Sequence, residues 1–67
     1  MNNLEYYRLK AGLSQTELAE KSGIFQTQIS RAEKGVLDFK GNQWKRLAEV
    51  LDCTVDELVG LNHSEKE

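Results

Sequence analysis

Apolar residues recur three and four positions apart from one end of this chain to the other. The period-two alternation that a strand facing solvent on one side would show is absent. Leu4 and Tyr7, with Ala11 a turn later, mark one face of a first helix over about Asn3–Lys10, and Gly12 closes it. Leu18 and Ala19 belong to a second, Gln15–Ser22, stopped at Gly23. Ile29 and Ala32 belong to a third, which starts at Gln26 and leaves through Lys34 and Gly35. Trp44, Leu47, Ala48 and Leu51 share a face of a fourth, about Asn42–Leu51. Val55, Leu58 and Val59 form a fifth, ended by Gly60. The pattern predicts an all-α fold of five short helices. Residues 1–61 are expected to make one domain, with 62–67 a frayed acidic tail.

Local chemistry sharpens three of these starts. In "SQTE", Ser14 stands at the N-cap and Glu17 three residues on, where each side chain can satisfy the other's free backbone N–H, and Leu13 with Leu18 forms the matching hydrophobic staple. "TVDE" repeats the box with Thr54 and Glu57, so the carboxylates Asp56 and Glu57 serve the helix start and its dipole rather than a metal. Ile24 and Ile29 staple the third helix. That helix has only a narrow buried stripe: at about 100° per residue, Thr27, Ser30, Arg31 and Lys34 all fall on the side away from Ile29. A helix so poor in apolar residues, yet so regular, has a polar face available for an external partner.

Composition removes most other functions. A chain of 67 residues makes one small domain, which buries only about 60 % of its unfolded surface and cannot enclose a large substrate cavity. An enzyme, a small-molecule substrate and a cofactor are therefore not expected. No apolar run is long enough for a bilayer and no basic-then-apolar leader follows Met1, so a cytoplasmic protein without a membrane partner is expected. Cys53 and His63 are single residues of their kinds and supply neither a disulfide nor a zinc set. The net charge of −2 hides an asymmetry: residues 1–47 carry eight basic against five acidic side chains, and 48–67 carry one against six. The acidity sits at one end, which leaves the other open to a polyanion.

Two helices joined by a tight turn, with a small residue in the first (Ala19), glycine in the turn (Gly23) and a branched aliphatic in the second (Ile29), make a helix-turn-helix. With "SQTELAEKSG", "QISRAEKG" and "LAEVLDCTVDELVG", the chain resembles the lambda-type phage repressor and Cro family over roughly Leu4–Gly60. The resemblance implies a compact five-helix DNA-binding domain whose second helix crosses the DNA backbone and whose third enters the major groove. It implies base contacts from Gln26, Thr27, Ser30 and Arg31. Backbone contacts would come from Gln15, Gln28, Lys34, Lys40 and Asn42, with Gln15 also bracing Gln26 and Gly41 lending a free N–H. Arg8 and Glu33 would form an ion pair between the first and third helices.

The expected function is a sequence-specific transcriptional regulator, a repressor, acting as a homodimer on a palindromic double-stranded DNA operator. Its partner contact would use Val55, Val59 and Leu61, aliphatics in excess of what one small core requires. The alternative is an antitoxin-type interaction module that binds a partner protein and regulates its own promoter. In the family's terms the chain is either a Cro-like small protein or a piece of a longer one. It departs from the family pattern at three places. Phe25 replaces a small capping residue, leaving its ring to pack on the core or touch a thymine methyl. "DFKG" replaces a loop that often holds proline and leucine. Ala32 replaces a larger aliphatic, leaving space for Trp44 or Phe39.

Overall fold

The computed structural model describes residues 2–60, which form α1 (Leu4–Lys10), α2 (Gln15–Ser22), α3 (Gln26–Glu33), α4 (Gly41–Leu51) and α5 (Val55–Val59). No strand occurs among the described residues. The tail expected at 62–67, with Leu61 and His63, lies outside them. Ala11 does not extend the buried face of α1: the helix ends at Lys10, and Ala11, as its C-cap, is exposed. α3 is eight residues long with Lys34 as its cap, and α4 begins one residue earlier than its apolar pattern indicates, at Gly41.

Both boxes read from the sequence are formed. Ser14 N–H donates to Glu17 Oε1 at 2.8 Å and Glu17 N–H to Ser14 Oγ at 3.0 Å; Thr54 and Glu57 do the same at 2.9 and 3.1 Å. Gly23 ends α2 at φ 76°, in the left-handed region that a side chain makes costly, and its N–H returns to Ala19 O. Asp52 does the same for α4 at φ 56° without being glycine. Aspartate tolerates this region better than most residues.

The core is built from every helix: Leu4, Leu18, Ile29, Ala32, Leu47 and Leu58 are fully buried, and Ile24, Phe39, Trp44, Ala48 and Leu51 nearly so. Ala32, Phe39 and Trp44 all belong to this cluster, and Phe39 meets Trp44 edge to face at 5.3 Å between centroids. Trp44 Nε1 donates to Asp38 Oδ1 at 3.3 Å, so the loop from α3 to α4 is pinned by the indole. Val55 and Val59 are half-buried and packed against the core, so these two valines are used within the domain instead of being surplus to it. The chain before α1 ties three helices: Asn2 Nδ2 donates to Ala32 O at 2.8 Å, Asn3 N to Leu58 O at 2.7 Å, and Asn3 Nδ2 to Glu57 O at 2.9 Å.

Candidate nucleic-acid interface

Helix α3 is anchored by Ile29 and Ala32, both fully buried, and by Ile24 one residue before its cap. Burying that stripe forces the rest of the helix outward. Gln26, Thr27, Arg31 and Lys34 are exposed, while Gln28 and Ser30 are half-buried at the edge of the stripe. Gln15, at the start of α2, is half-buried; Lys40, Gly41 and Asn42, at the start of α4, are exposed. Among the described residues the ion pairs all involve Arg8, which leaves Arg31, Lys34 and Lys40 without a carboxylate partner.

Beneath this face runs a chain of side-chain hydrogen bonds. Gln26 Nε2 donates to Gln15 Oε1 at 2.7 Å, and Gln15 Nε2 donates to Glu33 Oε1 at 2.9 Å. Glu33 in turn accepts from Arg8 twice, from Nε at 2.6 Å and from Nη2 at 3.2 Å, and Arg8 Nη1 donates to Leu13 O at 2.9 Å. The fork is bidentate and both side chains are withdrawn from water, 9 % and 5 % exposed. Hydrogen bonding to Glu33 raises the Arg8 pKa against the opposing effect of burial, so the guanidinium is fixed as a cation. An exposed amide at the start of α3 is therefore tied, through one intermediate residue, to a buried ion pair in the interior.

The helix starts divide into two groups. In α1, α2 and α5 one first-turn N–H group meets a side-chain acceptor: Asn2 Oδ1 receives Leu4 N–H at 3.0 Å, and Ser14 and Thr54 cap their own helices. In α3 and α4 the N-cap residues are Phe25 and Lys40, and neither supplies a side-chain cap. Gln43 Oε1 accepts the Lys40 N–H at 3.2 Å and Gln43 N–H returns to Lys40 O at 3.0 Å, while the N–H groups of Gly41 and Asn42 make no hydrogen bond among the described residues. Side chains beside both uncapped starts are expected to meet DNA, as is Gln15 at the capped start of α2. Open N–H groups at the positive end of a helix dipole favour an anion such as a phosphate.

Sequence reasoning did not single out Arg46. Its Nη1 would lie 3.9 Å from a Cβ added at Gly23, adding a positive charge beside the turn between α2 and α3. Helical spacing put Arg46 on α4, but only packing brings it to that turn. Of the other polar candidates, Cys53 is half-buried, and burial together with Glu57 and Asp52 pushes its thiol pKa up. The described residues contain no metal-holding group of His, Cys, Asp and Glu, and no helix among them is long and apolar enough to cross a membrane.

Comparison with known proteins agrees with this fold. The family model described as Helix-turn-helix matches residues 4–58. Among solved structures, one described as the SinR protein/SinI protein complex superposes with a TM-score of 0.79 at 29 % sequence identity, covering 97 % of this chain and 64 % of the matched one. The chain thus spans a little under two thirds of that protein's length. No curated protein matches.

Proposed function

Since the chain belongs to the helix-turn-helix family of Cro/C1-type DNA-binding transcription regulators, we propose that it is a repressor that reads the major groove of a palindromic operator as a homodimer, with residues 1–61 as the DNA-binding unit. In this reading α3 lies in the groove and presents Gln26, Thr27, Ser30 and Arg31 to base edges. Gln15, Gln28, Lys34, Lys40 and Asn42 hold phosphates. Membership of this family points to a binding protein of a class that is typically not enzymatic, and the fold to a cytoplasmic one.

The observation that carries the reading is the tether of Gln26. Its amide is exposed, where a hydrogen bond to protein contributes little to stability, yet it is fixed by Gln15 and through it by the Glu33–Arg8 pair. A positioned amide offers a donor and an acceptor side by side, the pattern that matches N7 and N6–H₂ of adenine. Two copies are invoked because one eight-residue helix spans too few base pairs for specific repression.

The test is selection of duplexes from a random oligonucleotide pool. Enrichment of a two-fold sequence with half-sites about one helical turn apart is expected, with two chains per duplex in sedimentation. Failure to enrich any sequence, or a monomer on the enriched duplex, would defeat the proposal.

A second reading, an interaction module whose main partner is another protein, draws on one fact: the matched structure is a complex of two different proteins. It predicts co-purification of a stoichiometric protein partner together with weak sequence preference in the same selection.

A further inference from the structure

Phe25 leaves two sources of stability unused. It stands at the N-cap of α3 with φ −61° and ψ 141°, the same extended conformation that Ser14 and Thr54 adopt at the caps of α2 and α5. A serine or threonine hydroxyl at that backbone geometry would accept an N–H of the first turn, as it does at both other sites. Phenylalanine cannot. Nor does the ring recover the loss by burial: it is 75 % exposed, as much as any large apolar side chain among the described residues. Ile24, its neighbour, already supplies the apolar staple from inside the core. A position that sacrifices both a cap and apolar burial, next to a tethered Gln26, is the kind of local inconsistency that accompanies function.

What the ring can meet follows from chemistry. Phosphates and the polar edges of guanine, cytosine and adenine offer nothing to a benzene ring; the apolar group displayed in the major groove is the C5-methyl of thymine. Wedging between base steps is the habit of minor-groove proteins, whereas α3 is proposed to lie in the major groove. We propose that Phe25 is a specificity-determining residue whose ring packs on the methyl group of one thymine in each half-site, beside the base read by Gln26. This inference rests on the base-reading role proposed for α3.

The experiment uses the tightest duplex enriched from a random pool, and versions of it in which each thymine is replaced singly by deoxyuridine. That change removes one methyl group and leaves every hydrogen-bonding edge in place. Wild-type protein is expected to lose about four-fold in affinity at one thymine per half-site, the worth of one buried carbon group. Phe25→Ser is expected to bind thymine and deoxyuridine at that position within about two-fold of each other. It should also melt ~4–8 °C higher, because a capping hydroxyl replaces an exposed ring. The rise in melting temperature guards against an unfolded variant. Indifference of the wild type to deoxyuridine at every thymine overturns the proposal, as does a deoxyuridine effect that survives Phe25→Ser, which assigns the methyl contact to another side chain. If no duplex enriches at all, DNA reading by α3 fails first and this role falls with it; enrichment without a methyl effect removes Phe25 alone.

Discussion

Replacing Glu33 with glutamine keeps the shape of the side chain and removes its charge, which isolates the electrostatic part of the Arg8–Glu33 pair. The amide oxygen can still accept one of the two Arg8 hydrogen bonds, and Leu13 O, 2.9 Å from Nη1, is untouched. The guanidinium would be left 9 % exposed without a close counter-charge, since the other carboxylate nearby, Glu5, is 63 % exposed and 3.9 Å away. Breaking a buried pair by removing one partner costs about 3–5 kcal/mol, and the surviving hydrogen bonds place this case near 3. Against the ~3–10 kcal/mol expected for 67 residues at ~0.05–0.15 kcal/mol each, that is a large share of the total. At ~4–8 °C per kcal/mol for a domain of this size, the melting temperature should fall by ~12–24 °C. The assay is thermal denaturation followed by circular dichroism at 222 nm, with the urea midpoint as a second measure. Arg8→Met/Glu33→Leu, which removes both charges and fills their space, should recover most of the loss. A Glu33→Gln protein melting within about 2 °C of wild type would show that water reaches the pair and that its charges are not stranded by burial. A double variant as unstable as the single one would move the cost from stranded charge to packing.

Four further variants have expected outcomes. Arg31→Ala should weaken operator binding by about 1–3 kcal/mol and flatten preference at one base pair per half-site, while Lys40→Ala should weaken all sequences alike and shallow the salt dependence by roughly one unit for each phosphate it no longer neutralises; titration against single-base substitutions at two salt concentrations separates them, and uniform weakening with Arg31→Ala would make that residue a backbone clamp. Gly23→Ala should cost about 1–2 kcal/mol in urea unfolding although only the end of the Arg46 side chain lies within 4 Å of the added Cβ, because the penalty comes from φ 76°; a neutral result would mean the turn relaxes out of that conformation. The Glu17 carboxyl is held below its ordinary value, chiefly by the Ser14 N–H, so the capping box stabilises the fold above the unfolded carboxylate pKa and loses that contribution as pH falls through the lowered folded value. Glu17→Gln should therefore have a shallower acid limb in a stability-against-pH series, and an unchanged limb would show that the pair is not formed in solution.

Most of the fold was legible because its signals are local. A serine or threonine with glutamate three positions on, a glycine at the end of a helical run and a 3.6-residue period each act within a few residues of where they are written, so α2 and α5 are marked by a capping side chain at one end and a glycine at the other. The helix-turn-helix is equally local, because Ala19, Gly23 and Ile29 lie within eleven positions of one another. Where such marks are missing, the reading slipped. α4 starts one residue earlier than expected, at Gly41, behind an N-cap Lys40 that supplies no capping side chain, and α1 ends before Ala11 could join its face.

The candidate site divides along the same line. Periodicity alone turns Thr27, Ser30, Arg31 and Lys34 away from Ile29, whatever the rest of the molecule does. Periodicity cannot say what Gln15 joins. Gln26, Gln15, Glu33, Arg8 and Leu13 come from three helices and a turn, separated by up to 25 positions, and only the closing of α1 and α2 on α3 makes them one hydrogen-bonded chain. The fate of the ambiguous apolar residues was likewise settled by packing: Phe39 and Trp44 are buried in the core, and Val55 and Val59 pack against it. Phe25, whose ring the sequence left free to turn either way, stays in solvent while Ile24 enters the core beside it. The sequence by itself determined five helices, their phases and the polar face of the third, because backbone hydrogen bonding and capping are decided within one turn. Tertiary structure alone decided which side chains are buried, paired or left exposed, because burial depends on the summed volume of residues far apart in the chain.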